Sequence, residues 1–280
     1  MEAGSPIISG REALDAFLSA AAGAPAAAAL LCDIDGTISP IAPTPADAHV
    51  PDAFREVLAA LVGRIGLVAF VTGRALEDGR RMIPLEGAAY IGTHGLETMP
   101  ADGSRWVEPQ AERYVAGIHE VAEAAARDLD CEALGVVIED KRTVLAIHYR
   151  LAEDAAATRH QILARVIEPA RERGLSVATG HFAFEVRPPL PFNKGTAVRR
   201  LLTAGDYFAA MGCGDDLTDI TAFAAIREWG ERDARRKALT VAAVTEETPQ
   251  PVTEAADVLV RATPGVHEVL ARFAAAVGAT

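Results

Sequence analysis

Short apolar runs recur along this chain, and each closes on a loop of small and polar residues. They are AAAALLC ending at Cys32, GLVAFVTG (66–73), GAAYIGTHG (87–95), DYFAAMGCG (206–214), ALTVAAV (238–244) and ADVLV (256–260). A run that is apolar at nearly every position, rather than at every second one, suits a strand buried on both faces. Between most of these runs apolar residues return at helical spacing instead, as over 51–61, 194–202 and 264–275. Strands alternating with helices predict a parallel sheet covered on both faces, the doubly wound α/β class. Ser9 followed by Glu12 predicts a capping box that opens a first helix stopping near Gly23.

The rhythm breaks between about residues 105 and 189. There the pattern gives a helix over 111–128 and two strands, 136–140 and 143–150, hinged at EDKR. A helix over 155–173 follows, then two more strands hinged at 180–181. An αββαββ block of this kind predicts a separate α+β unit with an antiparallel sheet, inserted into the α/β core. The expected organisation is a core formed by 1–104 and 190–280, with 105–189 as the inserted domain.

Composition narrows the class of function. The chain has 280 residues, half of them apolar and 24% charged, which suits a folded soluble protein. A net charge of −12 argues against nucleic acid or an anionic membrane surface as partner. Three scattered cysteines, Cys32, Cys131 and Cys213, make neither a disulfide framework nor a four-ligand zinc site, and a reducing cytoplasm fits them. The alanine-rich stretch 20–31 follows Glu2, Glu12 and Asp15 rather than a basic leader, so a signal peptide is not expected. A membrane span is not expected either, because no apolar run approaches about 20 residues.

In a doubly wound sheet, ligands bind beyond the carboxyl ends of the strands, so the residues closing each apolar run are the ones to inspect. Asp33, Asp35, Gly36 and Thr37 follow the first run, and Thr72, Gly73 and Arg74 the second. Gly214, Asp215, Asp216 and Asp219 close the fourth, and Lys194 opens the helix before it. Two carboxylates one residue apart repel, and both keep their charge at tolerable cost only beside a cation. Hard oxygen ligands in this number suit Mg2+, which takes one or two carboxylates, waters and phosphate oxygens. Asp33, Asp35 and Asp215 are the candidate metal residues. Asp33 is the candidate nucleophile toward phosphorus. Asp35, its side chain directed off the metal, is expected to protonate the leaving oxygen and then deprotonate the attacking water. Lys194 and Thr72 are expected to hold the phosphoryl oxygens, and Gly73 and Arg74 to contact substrate. Taken singly, each fragment is ordinary loop or helix-start chemistry; four of them in this order at strand ends are not.

DIDGT, VTGR, NKG and GDDLTD resemble the four motifs of the haloacid dehalogenase superfamily. GTHGLE (92–97), IEDKRTVLAIHYR (138–150), FEVRPPLPFNKGTAV (184–198) and GDDLTDITAF (214–223) further resemble trehalose-6-phosphate phosphatases. The resemblance implies a Rossmann-like core carrying an αββαββ cap. It also implies a Mg2+-dependent hydrolase acting on trehalose 6-phosphate, a small-molecule substrate, through an aspartyl-phosphate. By the same resemblance Glu139, Lys141, Arg150 and Glu185 of the cap bind sugar hydroxyls. One departure is Ile220, where the family commonly carries an acid after the TD of its last motif. His94 and His148 are open between structural and ligand-contacting roles, and oligomeric state is open, a monomer being compatible. The alternatives are a phosphatase of the same superfamily acting on sucrose phosphate or mannosyl-phosphoglycerate, a phosphomutase, and a non-catalytic sugar-phosphate sensor.

Overall fold

The computed structural model describes residues 6–180 and 182–279. In chain order its strands are β1 (Ile7–Ser9), β2 (Ala28–Cys32), β3 (Leu67–Val71), β4 (Ala89–Gly92), β5 (Glu97–Met99), β6 (Trp106–Val107), β7 (Val137–Asp140), β8 (Leu145–His148), β9 (Ser176–Gly180), β10 (Ala183–Arg187), β11 (Ala209–Gly214), β12 (Lys237–Val244) and β13 (Val258–Arg261). Two compact units result: Met1–Ile41, His49–Trp106 and Phe192–Thr280 form the first, Ala42–Ala48 and Val107–Pro191 the second.

The first unit is built on a nine-stranded sheet of order β1-β13-β12-β11-β2-β3-β4-β5-β6. The run from β13 to β4 is parallel throughout, while β1 and β5 pair antiparallel with β13 and β4. All five residues of β2 are buried. Ala28, Leu30 and Cys32 join the core shared with the helices Arg11–Gly23, Asp52–Val62 and Ala262–Ala276. Ala29 and Leu31 face the helices Lys194–Ala204 and Asp219–Glu231 on the other side. Burial on both faces is why this strand reads as an unbroken apolar run. From β2 the chain winds outward through β3 and β4, then returns to the opposite side of β2 with β11. The order therefore reverses between β2 and β11, and the crevice beyond the carboxyl ends of those two strands is where a doubly wound sheet binds ligands.

The start of the chain departs from expectation. Ser9 does not cap the first helix; it lies in β1, opposite Leu259 of β13. The N-cap is Gly10, which makes no side-chain cap hydrogen bond. Pairing with a sheet edge outweighs a local capping preference here.

In the second unit a four-stranded antiparallel sheet has the order β7-β8-β10-β9. Its helical segment before β7 is broken at residues 113–114 into Pro109–Glu112 and Val115–Asp128. The segment after β8 runs as Ala155–Ile162, a π-helical turn Leu163–Ile167, and Glu168–Glu172. That turn falls just before Pro169, whose ring nitrogen cannot donate to the carbonyl four residues earlier. Leu145, Ile147, Phe184 and Val186 point to the helices and form the core with Ile118, Val121, Ile162 and Val166. The alternate residues of the same strands point away from that core. Of the hinge expected at 180–181, Gly180 ends β9 and position 181 lies outside the described residues. Among the described residues, no helix is long and apolar enough to cross a membrane.

Candidate active site

The end of β2 delivers Asp33 to the crevice, its backbone N–H donating to the Cys213 carbonyl of β11 at 2.9 Å. The end of β11 delivers Asp215. Lys194 comes from a helix start whose local sequence explains its placement. Asn193 caps that helix, accepting from Thr196 N–H at 2.9 Å while its own N–H donates to Thr196 Oγ1 at 3.0 Å. This reciprocal box fixes the first turn and aims Lys194 inward. Lys194 Nζ lies 2.9 Å from Asp33 Oδ1 and 2.8 Å from Asp219 Oδ1. Oδ2 of Asp219 accepts the backbone N–H groups of Asp215 and Asp216 at 3.1 and 3.2 Å.

One buried ammonium thus faces two buried carboxylates, Asp33 and Asp219, with Asp215 and Asp216 beside them, and their titration reflects it. Burial pushes Asp33 well above the usual carboxylate range, with Lys194 pulling the other way and Asp219 adding to the rise. Burial and the negative charges of Asp33 and Asp219 do the same to Asp215. Burial lifts Asp219 to about 6 against the pull of Lys194. At Asp216 burial also works upward, but Lys194 and two bonds from Thr218 outweigh it, and its pKa is lowered. Burial disfavours the Lys194 ammonium, yet Asp219 and Asp33 hold its pKa well above that of an ordinary lysine.

Oxygen atoms of Asp33, Asp215 and Asp219 lie within 4.8 Å of one another. An all-oxygen set whose negative charge Lys194 does not balance is the chemistry Mg2+ takes. Both Asp219 oxygens are engaged by Lys194 and the 215–216 backbone, so Asp33 and Asp215 carry the oxygens best placed for a cation, with Asp219 orienting them. Thr37 Oγ1 donates to Asp215 Oδ1 at 3.3 Å. Of the residues expected at a metal, Asp35 is placed differently: its carboxylate takes both prongs of Arg74, Nε to Oδ2 at 2.7 Å and Nη2 to Oδ1 at 2.8 Å.

Gly36 shows how tightly the site is drawn. Its φ of 77° is left-handed, and a Cβ there would fall 1.9 Å from Asp215 Oδ2. Gly36→Ala is therefore expected to cost about 1–2 kcal/mol of stability from the backbone alone and to displace Asp215. Thermal unfolding and a Mg2+ titration check this: a variant matching the parent in both would mean that the turn is not under this constraint.

Thr72 closes β3, with its N–H donating to the Ile91 carbonyl at 2.9 Å and its Oγ1 accepting Arg74 N–H at 3.2 Å. Gly73 lies under His94, whose Nε2 would be 2.5 Å from a Cβ at that position. Thr93 and His94 both have positive φ, 45° and 55°, an unusual pair for residues with side chains. Their N–H groups donate to the carbonyls of Arg74 at 2.8 Å and Thr72 at 3.1 Å.

The second unit carries the other expected residues. Glu139, Ala146, Glu185 and Ala178 stand opposite one another on β7, β8, β10 and β9, forming one row across the face turned away from that unit's core. His148 and Arg187 share that face by the two-residue period. Lys141 Nζ lies 3.5 Å from Glu139 Oε2 and 3.8 Å from Glu185 Oε1. His148 Nε2 is 3.2 Å from Glu139 Oε2, and Arg187 pairs with Glu185. Glu139, Lys141 and Glu185 are thus brought together, while the Arg150 guanidinium sits 5.2 Å from the Phe182 ring centroid. Arg187 is open to detection from its two-residue spacing to Glu185; Asp219, named among the residues closing the fourth run, takes its orienting place from its contacts with Lys194 and the 215–216 backbone.

A family model described as trehalose-phosphatase matches residues 31–256. The chain belongs to this family. It is 36% identical over 206 residues to a trehalose-phosphate phosphatase of Mycobacterium marinum, a match covering 71% of this chain and 51% of that protein. It is also 36% identical over 211 residues to an uncharacterized glycosyl hydrolase of Mycobacterium tuberculosis, covering 72% of this chain and 15% of that protein. The chain therefore spans about half the length of the first relative and a small fraction of the second. A solved structure described as a trehalose-6-phosphate phosphatase related protein aligns with a TM-score of 0.71 at 25% identity, covering 87% of this chain and 95% of that one. The trehalose-phosphatase family match takes in the ends of β2, β3 and β11 and the whole of the second unit.

Proposed function

We propose that this protein is a Mg2+-dependent phosphatase that hydrolyses trehalose 6-phosphate to trehalose and phosphate through an aspartyl-phosphate on Asp33. The observation that carries the reading is the convergence of Asp33, Lys194 and Asp215 beyond the strand ends where the sheet order reverses. Lys194 engages Asp33 Oδ1, leaving Oδ2 to attack phosphorus. As the Asp33 oxygen bonds to phosphorus, the bond from phosphorus to the sugar oxygen breaks, and that oxygen takes a proton from Asp35. Water then gives a proton to Asp35 while its oxygen bonds to phosphorus, and the pair of the broken P–O bond returns to Asp33. Lys194 and Thr72 bind the phosphoryl oxygens as charge spreads over them. Mg2+, held by Asp33 and Asp215, would supply the positive charge that lets a phosphate dianion approach these carboxylates.

The row of Glu139, Lys141 and Glu185 is read as the sugar-binding surface and the second unit as the specificity domain, because paired carboxylates and a cation can bridge vicinal hydroxyls. A cytoplasmic location suits the free thiols of Cys32, Cys131 and Cys213.

The deciding experiment is phosphate release with Mg2+ from trehalose 6-phosphate, sucrose 6-phosphate, mannosyl-phosphoglycerate and glucose 6-phosphate. The highest kcat/KM is expected for trehalose 6-phosphate. Preference for another member would correct the substrate, and release from none would favour a sensor. Glu139→Ala and Glu185→Ala are each expected to lower kcat/KM for trehalose 6-phosphate about 10- to 100-fold, since a sugar hydroxyl loses its partner. Turnover of p-nitrophenyl phosphate, which has no sugar, should stay near the parent value, and equal losses on both substrates would remove the sugar-binding role.

A further inference from the structure

The left-handed pair Thr93–His94 and the Arg74–Asp35 fork belong to one connected arrangement. Two residues with side chains held at positive φ cost of order 1–3 kcal/mol each and persist where the surroundings enforce them. Here the enforcing contacts lead to Arg74. Its carbonyl accepts Thr93 N–H at 2.8 Å, and its own N–H donates to Thr72 Oγ1 at 3.2 Å, so its backbone is pinned on both sides. From that base the Arg74 side chain, only 12% exposed, forks its guanidinium onto the Asp35 carboxylate at 2.7 and 2.8 Å. Asp35 itself sits on a tight turn closed by Ser39 N–H to Ile34 O and Gly36 N–H to Ser39 O, both 2.8 Å. A short side chain two residues from Asp33 would otherwise be free to rotate toward any cation bound there.

We propose that Arg74 is a positioning residue that acts through Asp35: its fork, anchored by the strained 93–94 loop, keeps the Asp35 carboxylate out of the cation site and aimed to take a proton from water. This rests on the aspartyl-phosphate reading above. It gives Arg74 a role independent of the sugar, and it makes a lysine a poor replacement, because a point charge cannot fix the plane and rotation of a carboxylate as a fork does.

The test uses p-nitrophenyl phosphate, whose good leaving group needs little acid assistance, so that the step with water is the one exposed. With Arg74→Lys, steady-state turnover is expected to fall roughly 10- to 100-fold. A burst of about one p-nitrophenolate per site should precede it as the aspartyl-phosphate accumulates. Asp35→Asn should give the same burst, and the double variant should be no slower than Asp35→Asn alone, within about twofold. Arg74→Gln, which keeps side-chain donors without the charge, repeats the measurement if Arg74→Lys unfolds at lower temperature than the parent. Arg74 variants that turn over p-nitrophenyl phosphate normally and only raise KM for trehalose 6-phosphate would overturn the proposal, making Arg74 a sugar ligand. Losses that add in the double variant would overturn it as well. An Asp35→Asn protein with normal turnover and no burst would instead remove the acid–base reading, and this proposal with it.

Discussion

Asp33→Asn is expected to lower phosphate release by on the order of 10^5-fold, as removal of a covalent nucleophile does elsewhere, while the protein stays folded. The reason lies in what surrounds that carboxylate. Asp33 is buried, and its Oδ1 is held by Lys194, which also serves Asp219. The amide fills the same space and can still accept from Lys194, but it offers no carboxylate oxygen to form the acyl phosphate. The fold should not suffer, because burial and neighbouring acids already disfavour the Asp33 charge; a midpoint of thermal unfolding at or above the parent value is expected. Inorganic phosphate assays on trehalose 6-phosphate and p-nitrophenyl phosphate, with unfolding scans alongside, measure both parts. Turnover within tenfold of the parent would move the nucleophile to another residue.

Removing the metal is expected to have a comparable effect, and a pH dependence that can be signed in advance. Excess EDTA should abolish turnover and Mg2+ should restore it, because the carboxylates of Asp33, Asp215 and Asp219 lie within 4.8 Å of one another and Lys194 is their shared ammonium. A carboxylate must lose its proton to bind a metal, so each raised pKa makes protons competitors of Mg2+. Asp33 and Asp215, which carry the oxygens placed for the cation, are both raised by burial and by neighbouring acids. Mg2+ affinity should therefore weaken as pH falls and strengthen as it rises. Calorimetric titration of the EDTA-treated protein at pH 5.5 and 7.5 reads this without any turnover. Undiminished activity in EDTA, or tighter Mg2+ binding at the lower pH, would contradict the site as described.

How much of this was legible in advance depends on whether the governing contact is local. β2, β3 and β11 announce themselves because both their faces are buried, which leaves no polar position to interrupt the run. The residues following them could be selected on that basis alone, and Asp33, Lys194 and Asp215 do meet. By contrast β1, β5 and β6, of three, three and two residues, are too short to display a period. Ser9 looked like a cap because the edge of β13, some 250 residues later in sequence, was out of view. Residues 42–48 join the second unit for the same reason: nothing local marks them. At the site, Arg74 and Asp35 are separated by 39 positions, and no spacing rule could couple them. The row of Glu139, Lys141 and Glu185 was legible through a family likeness, and its physical basis appears only once the strand register sets Glu139 and Glu185 on either side of Ala146.

The reversal of strand order at β2 also governs how this chain must be made. β2 needs β11 on one flank, yet the ribosome delivers residues 33–208, including the whole second unit, before β11 begins. At ordinary elongation rates of about 5–20 residues per second, that interval is roughly 10–35 seconds. Throughout it a strand destined for full burial has an unpaired edge, the kind of surface to which other chains add. The second unit, contiguous but for residues 42–48, has all of its strands in hand well before the first. Synthesis thus leaves an aggregation-prone half-sheet waiting beside a domain that can already close on itself, which makes the late arrival of β11 the step at which chaperones would have most to protect.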